Sequence, residues 1–269
     1  MALAHLKEVA SKGVKNFIFF GVIPHEEKDE VGSIACSHNN PVIKLTKLVR
    51  DAELDVLVTA DLCYCEYTSH GHCGVLSSDS EVTVDNEATL EIMSKQTIAM
   101  AEAGADIIAP SGMMDGGVAA LRQALDSSEF SHLPIMSYST KYASNLYGPF
   151  RDAAEGAPQF GNRKSYQMDF RRSEEWITEA ELDLQEGADM LMVKPGMYYL
   201  DVIRGLKEMT NVPVGAYQVS GEYSMIHAAA NNGWLDLQGV ALESLYCLKR
   251  AGADFIISYF AKDLGDWLD

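Results

Sequence analysis

The sequence predicts a parallel α/β fold of the TIM (β/α)8 barrel type, and three observations carry that expectation. Short runs of β-branched and apolar residues alternate with helical stretches, the order that a parallel sheet with crossover helices requires. Three of those runs are entered through one phrase, Ala103-Gly-Ala-Asp106, Glu186-Gly-Ala-Asp189 and Ala251-Gly-Ala-Asp254, whose glycine can end a helix left-handed before the chain turns into a strand. The 269 residues, 47% of them hydrophobic, match the roughly 250 residues of one barrel, so a single catalytic domain spanning 1–269 is expected.

Taken in order, the opening MALAHLKEVASKGVKN reads as an amphipathic helix and not as a signal peptide. Strands are expected over 16–22, 55–61, 106–110, 134–139, 189–194, 213–219 and 254–259. A closed barrel of this type has eight, so the first strand is expected to be missing from this chain. Long loops follow at 23–40, 62–85 and 141–172, on the strand-exit side where barrel active sites sit.

A formal charge of −18 with no run of Lys or Arg speaks against a nucleic-acid partner, which needs a clustered positive face. No apolar stretch approaches the roughly 20 residues of a membrane span, so a cytoplasmic protein is expected. Five cysteines are too few for a disulfide scaffold in a chain this long, which points to reduced thiols or a metal. Cys36 and Cys247 stand alone and read as small buried or surface residues.

The other three thiols are close together. Asp61-Leu-Cys63-Tyr-Cys65-Glu-Tyr-Thr-Ser-His-Gly-His-Cys73 places them within one loop after the second expected strand. Three thiolates fill three corners of a tetrahedral zinc site and leave the fourth open, the arrangement of catalytic zinc. The loop must bend for Cys63 and Cys65 to face one ion, since alternate strand residues point opposite ways. His70 and His72 lie in the same loop and are better read as supporting it than as ligands. An accidental cluster and a disulfide are the competing readings.

The fifth expected strand ends in Met-Val-Lys194-Pro-Gly, and the fourth runs into Ser-Thr-Lys141. A lysine at the mouth end of an apolar strand is costly to keep charged, and its depressed pKa makes the amine a candidate Schiff-base nucleophile. Two such amines on neighbouring strands lower each other's pKa further. Either lysine alone could equally be snorkelling or ion-paired. The pair beside a thiol cluster favours catalysis.

Together, Cys-Tyr-Cys-Glu-Tyr-Thr-Ser-His-Gly-His-Cys-Gly, Tyr147-Gly-Pro-Phe-Arg-Asp and Met-Val-Lys194-Pro-Gly resemble the porphobilinogen synthase family, also called 5-aminolevulinate dehydratase, over nearly the whole chain. The resemblance implies a TIM-barrel hydro-lyase of the zinc-dependent branch that condenses two molecules of 5-aminolevulinate into porphobilinogen, with loss of two waters, in tetrapyrrole biosynthesis. It implies that Lys194 binds the first substrate and Lys141 the second, and that Cys63, Cys65 and Cys73 hold zinc. By the same likeness Asp61 and Ser111 meet the second substrate's amino end, while Arg151, Arg163 and Gln167 meet its carboxylate. Ser220 and Tyr259 would hold the first substrate's carboxylate between walls of Tyr147 and Phe150. Glu179 matches a glutamate that contacts an activating Mg2+ at a subunit interface, and the family assembles as homo-oligomers, usually octamers.

The chain departs from the family's Ser-Asp-Met-Met-Asp-Gly-Arg motif by carrying Gly112 and Gly117 in place of the first Asp and the Arg. That puts turnover in question, while the N-terminal arm and first strand expected to be absent put the chain's stability and the family's octamer in question. Two other readings stand beside the enzyme: a class I aldolase-like lyase, which needs no cysteine loop, and an inactive remnant that only binds metal.

Overall fold

The computed structural model of the chain describes residues 1–78 and 83–268; residues 79–82 of the expected loop 62–85 lie outside the described residues. Strands form at all seven expected places: β1 Asn16–Phe19, β2 Leu57–Leu62, β3 Ile107–Pro110, β4 Met136–Lys141, β5 Met190–Lys194, β6 Val214–Gln218 and β7 Phe255–Ser258. All their ladders are parallel and join sequence neighbours, β1-β2-β3 in one sheet and β4-β5-β6-β7 in the other. A parallel bridge between Ile108 and Ile135 connects the two sheets. This is the strand succession of a βα barrel. Among the described residues no ladder joins β7 to β1, and every residue of β7 is only half-buried.

Helices α1 Ala2–Ser11, α2 Pro41–Asp51, α3 Asn86–Glu102, α4 Gly117–Asp126, α5 Gly148–Ala153, α6 Glu175–Gln185, α7 Leu200–Met209, α8 Ser220–Asn231, α9 Leu237–Ala251 and α10 Ala261–Trp267 complete the chain. Side-chain caps fix several of their starts. Asn40 accepts from Val42 N–H with Pro41 at the first helical position, and Asp85 and Asp236 cap α3 and α9 in the same way.

The repeated Gly-Ala-Asp phrase does two jobs. Gly104, Gly187 and Gly252 have φ of 94°, 102° and 126°, conformations that glycine adopts without strain. The aspartate that follows reaches to the preceding strand and accepts a backbone N–H: Asp106 from Val58 at 2.6 Å, Asp189 from Ile135 at 2.8 Å and Asp254 from Val214 at 2.8 Å. Arg50, Arg122 and Lys207 pair with these three carboxylates in turn.

Strand alternation sorts the side chains into two cores. Leu191, Val193, Val214 and Ala216 belong to the larger core beneath the helices. Ala109, Met136, Tyr138, Met192 and Tyr217 form a separate cluster inside the strand layer. Most strand bounds shift from expectation by one or two residues, and two ends bear on the site. β1 stops at Phe19 and not at residue 22, and Gly21 just beyond it lies against the Tyr67 phenol so closely that a Cβ there would lie 1.9 Å from Oη. β4 runs on to Lys141, through a register shift between Ser137 and Thr140.

Candidate active site

That register shift decides where Lys141 points. Ser137 faces α6, donating to Asp183 at 2.5 Å, while Met136 and Tyr138 face the interior. Strict alternation would then turn Lys141 outward, three residues after Tyr138. In the ladder, Ser137 pairs with Leu191 and Thr140 with Val193, so β4 spends one residue more than β5 over the same span. This bulge restores the inward face at Lys141, which pairs in register with Lys194. The lysines are 5% and 6% exposed.

The ends of the other strands close the same mouth. Ser111, following β3, donates from Oγ to Asp61 Oδ2 at 3.0 Å, and Lys141 Nζ donates to the Ser111 carbonyl. Asp61 Oδ1 is buried without a partner. Burial pushes the Asp61 carboxyl up, against the opposing pull of Lys194 and Lys141. Lys194 lies well below the ordinary lysine range, at about 7, because burial disfavours its charge and Lys141 adds repulsion.

Beyond β2 the chain leaves the strand after Leu62 and folds into turns, the bend that lets alternate cysteines converge. One ligand atom from each of Cys63, Cys65 and Cys73 lies within 4.8 Å of the others, all three buried. Cys63 and Cys65 sulfurs are 3.3 Å apart and no disulfide joins any cysteine. Hydrogen bonds from Cys63 and Cys65 hold the Cys73 thiol well below its usual range, with Arg163 and Lys141 adding positive potential. The histidines turn away from the sulfurs. His70 Nε2 meets the Glu30 carbonyl, and His72 bridges Tyr166 Oη and the Phe160 carbonyl, each at 3.0 Å.

Over this mouth lies the segment 142–172, tied down by Met168 N–H donating to Lys141 O at 3.1 Å and Ala143 N–H to Met168 O at 2.8 Å. Tyr147 Oη donates to the carbonyls of Tyr142 and Lys194, and Phe150 N–H donates to Ser220 Oγ at 3.0 Å. Arg163 is buried and anchored to the carbonyls of Gly71 and Gly156, while Arg151 lies over the Tyr147 ring with Nε unpartnered.

One cavity is lined by all but three of the expected residues: Asp61, Cys63, Cys65, Ser111, Lys141, Tyr147, Phe150, Arg151, Arg163, Lys194, Ser220 and Tyr259; Cys73, beside it, completes the sulfur trio. Gln167 and Glu179 lie elsewhere. Both border a second cavity among α3, α4 and α6, which carries the carboxylates of Asp115, Glu175, Asp183 and Glu186. The amide of Gln167 is buried there without a partner. Glu179 has its carboxyl raised by burial, then by the charges of Glu175, Asp115 and Glu186.

Sequence reasoning passed over Glu66, Phe20 and Tyr217, which line the first cavity, and Tyr138 beneath it. Glu66 is 3% exposed, and burial with the charges of Asp61 and Cys73 pushes its carboxyl to about 7. Tyr217 was legible in principle, since it shares the inward parity of Gly215 on β6, whereas Tyr138 and Lys141 share a face only through the bulge.

Fold and cavity together define a βα-barrel enzyme whose reactive side chains gather at the strand exits. The chain belongs to the delta-aminolevulinic acid dehydratase family, whose family model matches residues 1–267. It is 52% identical to the delta-aminolevulinic acid dehydratase of Staphylococcus epidermidis over 264 residues, 98% of this chain and 81% of the relative, and 54% identical to that of Synechocystis, covering 97% and 80%. Among solved structures it superposes with a TM-score of 0.96 on the Toxoplasma gondii enzyme in complex with its reaction product porphobilinogen, at 41% identity, covering 99% of this chain and 76% of the other.

Proposed function

We propose that this chain is a single-domain porphobilinogen synthase, a lyase that joins two molecules of 5-aminolevulinate through lysine Schiff bases. The observation that carries the reading is the in-register pair Lys141 and Lys194, facing one cavity with three clustered thiols. Lys194, its pKa near 7, supplies a neutral amine at physiological pH and takes the first substrate; Lys141 takes the second. An iminium draws electrons from the carbon beside it, which is what a C–C or C–N bond-forming step needs. Arg151 and Arg163 offer guanidinium forks to the second substrate's carboxylate, and Asp61 with Ser111 offers a carboxylate and a hydroxyl to its ammonium. Ser220 and Tyr259 are assigned to the carboxylate of the first, with Tyr147 and Phe150 as walls.

The donor set suits zinc: three buried sulfurs that span 4.8 Å and no carboxylate among them, a soft, tetrahedral set. Bound there, zinc would supply Lewis acidity beside the second substrate. Glu179 and its acidic neighbours offer hard oxygen donors, and we assign them to Mg2+. Gln167 joins the substrate's carboxylate contacts only if its segment shifts from the second cavity toward the first. A homo-oligomer in the cytoplasm fits the family.

The test is porphobilinogen formation from 5-aminolevulinate, measured colorimetrically with zinc and after chelation. Activity that falls on chelation and returns with zinc is expected, as is borohydride capture of substrate on Lys194. A folded, zinc-loaded sample that yields neither product nor adduct overturns the proposal.

A further inference from the structure

The Lys194 amine is boxed by aromatic rings. Its Nζ lies 4.2 Å from the centroid of Tyr217, 5.0 Å from Tyr138, 5.5 Å from Phe150, 5.6 Å from Tyr147 and 5.8 Å from Phe20. Three strands or their exits, β1, β4 and β6, contribute rings to the box, and the segment 142–172 over the mouth contributes Tyr147 and Phe150. Lys141 differs, with one ring within reach, Tyr138 at 5.6 Å, and a carbonyl acceptor at Ser111. Among the described residues Lys194 Nζ donates no hydrogen bond.

We infer that this box discriminates between two cations, and that Tyr217 is a catalytic residue whose ring face stabilises the Lys194 iminium over the Lys194 ammonium. The inference rests on the Schiff-base reading above. Starting from the ammonium, the step balances without an outside proton. Nζ loses two protons, which leave with the carbonyl oxygen as water; the C=N bond replaces C=O; the nitrogen keeps one proton and the positive charge. One cation is exchanged for another in the same place. The ammonium presents three N–H donors that want acceptors and finds none in the box. The iminium presents one N–H and a diffuse charge, which ring faces satisfy without hydrogen bonds. The box therefore pulls the equilibrium toward the covalent adduct, and Tyr217, the nearest ring, contributes most.

The test uses full-length protein with 4-oxopentanoate, a keto acid of the substrate's chain length with no amino group, and with 4-hydroxypentanoate, which has no carbonyl to react. Adduct on Lys194 is read by borohydride quench and peptide mass, and binding of the hydroxy acid by calorimetry. Tyr217→Leu is expected to raise the keto-acid concentration for half-maximal adduct about tenfold, the scale of a desolvated cation–π contact. Tyr217→Phe, which keeps the ring, is expected to stay within about twofold of wild type, and the hydroxy acid is expected to bind all three proteins alike. Equal weakening of both ligands by Tyr217→Leu makes the ring a packing wall and overturns the inference, as does a loss in Tyr217→Phe as large as in Tyr217→Leu. Should Tyr217→Leu not fold, Phe20→Leu at the cavity edge decides, with a smaller loss confined to the keto acid expected and an unchanged adduct overturning the idea. Absence of any adduct in folded wild type would sink the Schiff-base reading itself, and is distinct from an adduct that ignores the ring.

Discussion

Lys194 and Asp183 show one physical cause working on opposite charges. Burial lowers the amine to about 7 and raises the carboxyl to about 7, in each case because the neutral form is cheaper to bury. For Lys194 the neutral form is the nucleophile, so adduct formation with 5-aminolevulinate at limiting substrate should rise with pH through about 7 and then level off. A profile that instead climbs steadily toward the ordinary lysine range, measured by borohydride trapping at a series of pH values, contradicts the burial argument. For Asp183 the consequence is stability. Its folded pKa lies above the unfolded 3.8, so the contribution is fully present below pH 3.8 and is lost as pH rises through about 7. Asp183→Asn is therefore expected to stabilise the protein at pH 8 by on the order of 1–2 kcal/mol, and by about half as much at pH 5.5. Urea midpoints at the two pH values check it.

At the scale of elements, the Gly-Ala-Asp phrase was readable as a glycine turn into a strand, but not as a tie to the preceding strand, because that partner is distant in the chain. Asp189→Ala would leave the N–H of buried Ile135 unpaired and release Arg122. A loss of about 1–3 kcal/mol is expected from chemical denaturation, and a neutral result would mean that the tie is incidental. Gly117 is the converse case. It opens α4 outside the positive-φ region, and a Cβ there would meet Met93 and Met114 at 3.7 and 3.9 Å, normal contact distances. Gly117→Ala should stabilise by about 0.4–1 kcal/mol through the unfolded chain, and thermal melting would expose the error if it destabilised. Gly112 likewise has room, with Cys73 atoms at 3.5 and 3.8 Å from a built Cβ. The departures from the family motif thus arise where a Cβ would fit, and neither glycine has the positive φ that would require it. The β4 bulge marks the limit of sequence reading: both lysines were singled out from the sequence and meet in register, yet simple alternation from Tyr138 would have turned Lys141 outward.

The seven strands and the convergence of distant thiols and amines follow from patterns that repeat along the chain, which is why the barrel and most of its cavity wall were legible. What depends on packing between elements was not: the aromatic box, the acidic second cavity and the position of Gln167 are set by side chains that meet only after folding. The same packing predicts how stability is distributed. β5 and β6 pair on both sides and are buried almost throughout. β1 and β7 have one ladder neighbour each among the described residues, and β7 is half-exposed along its length. An amide that lacks a second strand to shield it opens at low cost, whereas central strands exchange only when the fold opens widely. Hydrogen exchange should therefore be fastest, among the strands, at residues 16–19 and 255–258, and slowest at 190–194 and 214–218. If β1 and β7 proved as protected as β5, the seam between them would have to be covered in solution, either by another part of the protein or by a second copy. Dilution would separate those cases, since protection by a second copy falls with concentration and protection within one chain does not.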